Sequence, residues 1–252
     1  MNKLLVKERF QGAQDTYDKN ASIQADMAIR LVEVLKGQGM NFSRIWEIGS
    51  GTGLLTKSLV REFAPETLHL SDLYLARNLE EYLKLLKGLK LFFSQGDAET
   101  LPVPEGPWDL IAAGSVFQWF ESLPDFIARV ETTLVPGGLM GFTTFLPGHF
   151  REVRDITGLG LNYRTRADLE GCFIGSFYPI HSEIRELVLH FSSPGEILRH
   201  CRLTGVNALE SDLWPPGRVR HFCQAYEALK TPHGYPLSQK TYLGIFRKKP
   251  EV

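Results

Sequence analysis

Cysteine is scarce in this sequence of 252 residues, which contains only three. Cys172, Cys201 and Cys223 are far apart and lack the close pairs that disulfide frameworks and cysteine-based zinc sites require. The seven histidines also show no spacing typical of metal ligands. We therefore expect reduced thiols that pack in the interior, and no bound metal.

Long apolar segments are missing as well. No run of the sequence approaches the roughly 18 apolar residues of a membrane-spanning helix. The opening MNKLLVKERF becomes charged after three apolar positions, which is too soon for a signal peptide. The sequence thus predicts a cytoplasmic protein with no membrane partner.

An excess of charge of either sign is also absent. The sequence has 28 Lys and Arg against 29 Asp and Glu, a formal net charge of −1. A chain this close to neutral has no overall field to attract nucleic acid or anionic lipid, so a polyanionic partner would need a local basic patch. We therefore expect no nucleic-acid partner.

Strand and helix patterns alternate along the first 150 residues. Short apolar runs bounded by turns predict strands at residues 44–48, 68–70, 89–93, 108–113 and 139–145. Apolar residues at three- and four-residue steps predict helices at residues 15–36, 54–63, 75–86 and 123–134. This alternation is typical of an α/β domain with a mostly parallel sheet and helices on both faces.

The last hundred residues depart from this rhythm. Residues 183–191 and 240–247 are predicted to form two more strands. Helical patterns at 149–173, 194–203 and 218–229 lie around them and cannot extend the sheet. Ligands of open α/β sheets bind beyond the carboxyl ends of the strands. We therefore expect these helices to form a cap that covers a pocket at that edge.

The most specific motif is EIGSGTG, which links strand 44–48 to helix 54–63. Its glycines permit a tight turn and a close approach of a ligand, and the following helix offers free N–H groups. Its GxGxG spacing differs from the GxGxxG of dinucleotide sites. Its glutamate would repel a pyrophosphate but suit an ammonium group. An ordinary strand-to-helix turn is the alternative. The predicted ligand contacts are Glu47, Gly49, Ser50, Gly51 and Gly53.

Two acidic residues follow the next two strands. Asp72 is placed to accept hydrogen bonds from both hydroxyls of a ribose. Asp97 follows strand 89–93, where its carboxylate can accept from an exocyclic adenine amine while Ala98 contacts the base. Each acid could instead be a solvated turn or capping residue. With the glycine motif, they predict a site for a nucleoside that carries an amino acid.

These motifs, together with the run Trp108-Asp109-Leu110-Ile111, resemble those of class I S-adenosylmethionine-dependent methyltransferases over about residues 10–147. The resemblance implies a Rossmann-like fold with seven strands in the order 3-2-1-4-5-7-6, the seventh antiparallel. It implies S-adenosyl-L-methionine as cofactor, S-adenosyl-L-homocysteine as its product, and no metal. It also implies cofactor contacts from Leu73 and Ser115.

Further segments lie outside the cofactor motifs. They are Arg9-Phe10, Tyr17, Ala21, Gln24, residues 115–120 (SVFQWF), 193–200 (SPGEILRH), 204–208 (TGVNA), 235–238 (YPLS) and Tyr242. Over nearly the whole chain they are similar to the malonyl-acyl-carrier-protein O-methyltransferases of biotin synthesis, although Cys201, Arg202 and Ser238 depart from that family's pattern. The similarity implies O-methylation of the free carboxylate of malonyl-acyl carrier protein, or of the corresponding CoA thioester.

The resemblance also implies roles near the methyl group. Tyr17 lies on a first helix that folds over the cofactor in this family, and its ring would tolerate a sulfonium while its hydroxyl positions the acceptor. Phe117 and Trp119 would wall the acceptor channel, or else pack in the core. A carboxylate is ionised at neutral pH, so this acceptor requires no general base.

Cations are expected to orient the malonyl carboxylate and to meet the acidic carrier protein. Arg151 and Arg154 after the fifth strand, and Arg199 and Arg202 in the cap, are the candidates for the carboxylate. Solvated helix faces are the alternative. The residues expected at a basic rim for the carrier protein are Arg199, Arg202, Arg218 and Arg220.

We therefore predict a single domain over residues 1–252. Its parts are an N-terminal helical lid (1–42), a cofactor-binding core (43–147), a helical substrate cap (148–180 and 192–236) and two final strands (181–191 and 240–248). Two other functions fit the same cofactor motifs. One is a methyltransferase for a small diffusible acid, phenol or amine, and the other is a non-catalytic cofactor-binding subunit that activates a partner.

Overall fold

The computed structural model describes residues 3–204 and 214–250. These residues form an α/β fold around one seven-stranded sheet in the order β3-β2-β1-β4-β5-β7-β6. The strands are β1 (Arg44–Ile48), β2 (Thr67–Asp72), β3 (Lys90–Gln95), β4 (Trp108–Gly114), β5 (Leu134–Phe145), β6 (Phe177–Phe191) and β7 (Tyr235–Lys248). The first five pair in parallel, and β7 is antiparallel to both β5 and β6. The predicted fold class and strand order are confirmed.

Helices cover both faces of the sheet and its carboxyl edge. They are α1 (Lys3–Asn20), α2 (Ser22–Lys36), α3 (Leu54–Phe63), α4 (Arg77–Leu83), α5 (Leu123–Glu131), α6 (Arg151–Thr157), α7 (Arg166–Gly171), α8 (Pro194–Leu203) and α9 (Pro216–Glu227), with a 3₁₀ turn at Phe117–Trp119. Within the described residues, no helix has the length and hydrophobicity needed to cross a membrane.

The N-terminal segment differs from the prediction of a single helix over residues 15–36. The chain is already helical at Lys3, and the helix breaks at Ala21, whose φ of −92° and ψ of 44° are not helical. Beyond the break, α2 buries an apolar stripe against the sheet. In α1 only Val6 and Ala13 are buried. Helix α1 therefore contributes little to the hydrophobic core, and most of its side chains remain available to line the candidate site.

The predicted helix over residues 149–173 is also divided. Gly158, with a left-handed φ of +69°, ends α6. A new helix then begins at Thr165, whose hydroxyl accepts the Asp168 N–H while the Asp168 carboxylate accepts the Thr165 N–H. The final strands begin earlier than predicted, at Phe177 and Tyr235. The cap is consequently smaller than the sequence indicated.

The cap has its own small core on the β7 side of the sheet edge. Helices α6, α8 and α9 pack around buried side chains that include Ile197, Phe222 and Tyr226. The buried Glu152 on α6 ties this core to β7, because its carboxylate accepts both the backbone N–H and the hydroxyl of Ser238. The cap is thus anchored to the strand that closes the sheet.

Candidate active site

Three cavities lie where the predicted site residues converge, at the carboxyl ends of the parallel strands. The largest, called here the main cavity, encloses about 850 Å³ of empty space, counting the part open to solvent. The turns after β1, β2, β3 and β4 form its floor, and α1 covers it with Lys3, Val6, Lys7, Phe10 and Tyr17.

The glycine turn after β1 is shaped by close packing. Gly49 has a φ of +70°, and a Cβ added there would lie 2.2 Å from Cγ2 of Val116 in the turn after β4. Any side chain at this position would therefore collide with the neighbouring turn and intrude on the cavity wall. Gly53 lines none of the three cavities and instead begins α3. Four of the five predicted contacts, Glu47, Gly49, Ser50 and Gly51, therefore line the main or a second cavity, and their binding role stays a prediction.

Asp72 at the end of β2 is held by backbone N–H groups. Its Oδ2 accepts from Gly51 N at 2.8 Å, and its Oδ1 accepts from Tyr74 N at 3.2 Å. Burial raises the pKa of this carboxyl to about 6, although the hydrogen bonds from Gly51, Tyr74 and Leu73 lower it in part. Asp72 and Leu73 both line the main cavity, where an acceptor of ribose hydroxyls was expected.

Glu47 is fully buried at the end of β1, and neither of its carboxyl oxygens has a hydrogen-bond partner among the described residues. Burial raises the pKa of Glu47 to about 8, with a smaller upward effect from Asp72, while the neighbouring Thr56 partly offsets the rise. Glu47 lines a second space, the Glu47 cavity, with Tyr17 and Ser50. Two unpartnered acceptors in such a place suit a ligand that brings its own cation.

Asp97 lies in the turn after β3 and lines the main cavity beside Ala98, as expected. Its two carboxylate oxygens accept from Lys3 Nζ, each at 2.8 Å, and the same ammonium group also contacts Glu99. Lys3 belongs to α1, so this ion pair holds the start of the covering helix over the cavity. No pattern in the sequence distinguishes Lys3 from the other lysines.

A third space, the Tyr163 cavity, adjoins the other two. Its walls come from α1, α2, the turn after β4, and the chain around α6 and α8. Its lining residues are Phe10, Tyr17, Gln24, Ser115, Gln118, Trp119, Phe145, His149, Leu161, Tyr163 and Thr204. Tyr17 and Ser115 line all three cavities, so the three spaces meet at these two side chains.

The two shared residues differ in how they are held. Ser115 has a left-handed φ of 57°, an uncommon conformation for a serine, and its N–H donates to Thr143 O at 2.9 Å. Burial, followed by the charges of Asp18 and Asp72, raises the pKa of Tyr17 above its ordinary value. The Tyr17 hydroxyl therefore stays protonated and can donate a hydrogen bond at the junction.

The structure separates the predicted acceptor residues. Trp119 lines the main and Tyr163 cavities. Phe117 is not at a cavity wall but fully buried in the aromatic core, with its ring 4.9 Å from that of Phe142. Arg151 and Arg199 are exposed on α6 and α8, outside all three cavities.

The other predicted arginines do not meet there either. Arg154 donates to Asn162 Oδ1 at 3.3 Å and to Leu161 O at 3.5 Å. Within residues 3–204 and 214–250, no Lys or Arg lines the Tyr163 cavity. The TGVNA run lies outside the described residues after Thr204. Across the described parts of the chain, no group of three or more His, Cys, Asp or Glu side chains could hold a metal ion.

Sequence reasoning missed His149 and Tyr163 as cavity residues. His149 follows β5 in a Pro-Gly-His-Phe turn, and Tyr163 lies in the irregular segment between α6 and α7. Nothing in their local pattern marks them, because the folding of the cap determines which of its side chains face inward. Gln24, by contrast, belonged to the segments that carried the narrower resemblance.

Comparisons with known proteins agree with this arrangement. Residues 46–142 match a family model described as a methyltransferase domain. The YcgJ protein of Bacillus subtilis has a similar fold, with a TM-score of 0.61 and 15% identity over 88% of this chain and 99% of that one. The N-methyltransferase NodS of Bradyrhizobium japonicum, solved with S-adenosyl-L-homocysteine, has a TM-score of 0.52 and 13% identity over 91% of this chain and 87% of that one.

Closer relatives extend over almost the full length. The malonyl-[acyl-carrier protein] O-methyltransferase of Calditerrivibrio nitroreducens is 34% identical over 99% of this chain and 98% of its own. The protein of the same name from Chlorobium luteolum is 32% identical over 99% of this chain and 97% of its own. The chain therefore belongs to the malonyl-[acyl-carrier protein] O-methyltransferase family.

Proposed function

We propose that this protein methylates the free carboxylate of a malonyl group carried by acyl carrier protein, with S-adenosyl-L-methionine as methyl donor, early in biotin synthesis. The observation that carries the proposal is the junction at Tyr17 and Ser115, where the main cavity meets the Tyr163 cavity. The names of the full-length relatives supply the acceptor. The ester would mask the malonyl charge so that the chain can enter fatty-acid elongation.

The residues of the main and Glu47 cavities fit this cofactor. Asp72 would accept the ribose hydroxyls, and Asp97 with Ala98 would hold the adenine. The carboxyl oxygens of Glu47, unpartnered among the described residues, would accept hydrogen bonds from the ammonium group. The absence of a side chain at Gly49 would let the cofactor approach the backbone. When bound, S-adenosyl-L-methionine supplies a methyl group already activated by its sulfonium charge. Asp97 can bind the adenine amine and Lys3 together, because a carboxylate offers about four acceptor positions.

The protein's own contribution is alignment and exclusion of water. Phe10 and Trp119 stack edge to face, with ring centroids 5.7 Å apart, and both line the main and Tyr163 cavities. They therefore shield the junction where donor and acceptor meet. The Tyr17 hydroxyl would position the carboxylate there. Such alignment is worth effective molarities of roughly 10⁵–10⁸ M, and an ionised carboxylate needs no base to react.

The exposed face of α8 is the proposed contact for the acidic carrier protein. Arg199 and Arg202 are both exposed there, and α8 packs against α1 and α9 around the cavity region. Positive charge at this rim would increase the rate of encounter without changing the chemistry inside. The thioester arm would then enter the Tyr163 cavity from the cap side.

The test is methyl transfer from radiolabelled cofactor to malonyl-acyl carrier protein, malonyl-CoA, free malonate, and a panel of small acids, phenols and amines. We expect methyl ester on the malonyl thioesters, with carrier protein preferred. Ester on free acids alone would instead show a small-acid methyltransferase. Cofactor binding without turnover of any acceptor would favour a non-catalytic subunit. Growth of a biotin auxotroph that lacks this methyltransferase, after supply of this gene, would place the activity in the pathway.

A further inference from the structure

His149 occupies an unusual position in the Tyr163 cavity. It is only 4% exposed, and its imidazole is sandwiched between the rings of Phe145 and Phe150, each with its centroid 4.0 Å away. The ring of Tyr163 meets it edge-on at 5.4 Å. Burial, followed by the nearby His200, lowers the pKa of His149 to about 3, so the imidazole is neutral at physiological pH.

The two ring nitrogens of His149 are in different surroundings. Nδ1 is sealed from solvent and has no hydrogen-bond partner among residues 3–204 and 214–250, although the ring itself lines the cavity. The edge that faces the cavity is therefore the one that carries Nε2. A sealed N–H without a partner costs more than a sealed bare nitrogen. The proton of the neutral ring is consequently better placed on Nε2, where it can be donated into the cavity.

Two other polar side chains of this cavity, Gln118 and Thr204, are already engaged. The Gln118 amide donates to Ser115 O at 2.6 Å and accepts from the Thr144 hydroxyl at 2.9 Å. The Thr204 hydroxyl donates to His200 O at 2.9 Å. With no Lys or Arg in the described lining, the donors left for a ligand are uncharged, and His149 is held among them by the rings of Phe145 and Phe150.

We propose that His149 donates a hydrogen bond from Nε2 to an oxygen of the malonyl group, and that uncharged donors rather than an arginine orient the acceptor. The inference rests on the proposed function and deepens it by naming how the substrate is recognised. An arginine paired with the reacting carboxylate would stabilise its charge in the ground state, and that stabilisation would be lost as the ester forms. Neutral donors orient the same oxygens with a smaller loss of nucleophilicity.

Two substitutions separate the hydrogen bond from the packing. His149→Phe keeps an aromatic ring between Phe145 and Phe150 but has no donor, whereas His149→Gln carries an amide nitrogen that can reach the position of Nε2. We expect the KM for malonyl-acyl carrier protein to rise about tenfold or more in His149→Phe, with kcat changed much less. His149→Gln should recover at least half of that loss on a logarithmic scale.

Binding measurements make the outcome independent of turnover. Calorimetry of malonyl-acyl carrier protein, with S-adenosyl-L-homocysteine present, should show the same loss of affinity in His149→Phe and the same recovery in His149→Gln. The affinity for S-adenosyl-L-homocysteine alone should be unchanged, because His149 lines neither the main nor the Glu47 cavity.

Two results would overturn the role of His149. One is a wild-type KM and Kd in His149→Phe, and the other is an equal loss in both variants, which would assign the ring to packing. A wild-type protein that binds malonyl-acyl carrier protein but does not methylate it would refute the proposed function while leaving the hydrogen bond measurable. A wild-type protein that neither binds nor methylates it would overturn both.

Discussion

Binding of the cofactor should release a proton from Glu47. This carboxyl is fully buried and has no hydrogen-bond partner in the described parts of the chain, and burial raises its pKa to about 8. At pH 7 it therefore carries a proton in roughly nine of ten molecules. An ammonium group placed against it favours the charged form, since an opposite charge at close range lowers a carboxyl pKa. The proton must then leave as the ligand enters.

The number of protons follows from the two acids of the site. If the pKa of Glu47 returns towards the ordinary value of a glutamate, it releases about 0.9 proton at pH 7. Asp72, with a pKa of about 6, is already mostly ionised at that pH and adds about 0.1. Ionising Glu47 at pH 7 costs about 1.4 kcal/mol of the binding free energy, so this ionisation alone should raise the affinity about tenfold from pH 6 to 7 and about fivefold from pH 7 to 8.

Titration calorimetry in buffers with different enthalpies of ionisation measures the proton number directly. The wild-type protein should release close to one proton per cofactor at pH 7. Glu47→Gln keeps the shape of the side chain but has no titrating group, and it should release only the small share that belongs to Asp72. Release near zero in the wild-type protein, or the same release in Glu47→Gln, would refute the reasoning.

Three further changes test other parts of the site. Asp72→Ala should raise the Kd for S-adenosyl-L-homocysteine about 100-fold, because it removes two hydrogen bonds from the ribose to a charged acceptor, each worth about 1.5 kcal/mol. An unchanged Kd in calorimetry would reject the role of Asp72 in binding the ribose. Lys3→Met removes the partly exposed ion pair with Asp97. Stopped-flow measurement should then show cofactor dissociation about two- to fivefold faster. An unchanged dissociation rate would mean that the ion pair does not hold α1 over the main cavity. Arg199→Glu should lower kcat/KM for malonyl-acyl carrier protein about threefold or more at low salt, and by a smaller factor at high salt. The control Arg61→Glu, on α3, should leave kcat/KM unchanged. Equal effects of the two charge reversals would show that α8 is not part of the docking surface.

The order of the strands and the residues that line the main cavity after β1, β2 and β3 could be predicted because their signals are local. The strand, the glycine turn and the helix from Arg44 to Phe63 are consecutive in the chain, and their positions agree with those expected. Asp72 and Asp97 come directly after strands that end at the same edge, so a sequence pattern is enough to bring them together.

The acceptor side could not be predicted in this way, because it depends on long-range packing. Phe117 and Trp119 belong to one 3₁₀ turn, yet one points into the aromatic core and the other lines the cavities. Their two-residue spacing in the sequence does not indicate which of the two side chains packs in the core and which lines the cavities. The break at Gly158 likewise turns the chain so that Tyr163 faces inward while Arg151 remains on the surface.

The distribution of charge explains why the predicted arginines do not line the Tyr163 cavity. Two acids, the buried Glu47 and the half-buried Asp72, line the cavities where a cationic ligand would bind. A bound sulfonium ligand would supply positive charge near the junction of the cavities, which Tyr17 and Ser115 line. A carboxylate in the Tyr163 cavity would then be attracted towards that charge. A permanent cation in the cavity wall would compete for the carboxylate. Neutral donors such as His149 and Tyr17 would instead leave the carboxylate attracted towards the methyl donor.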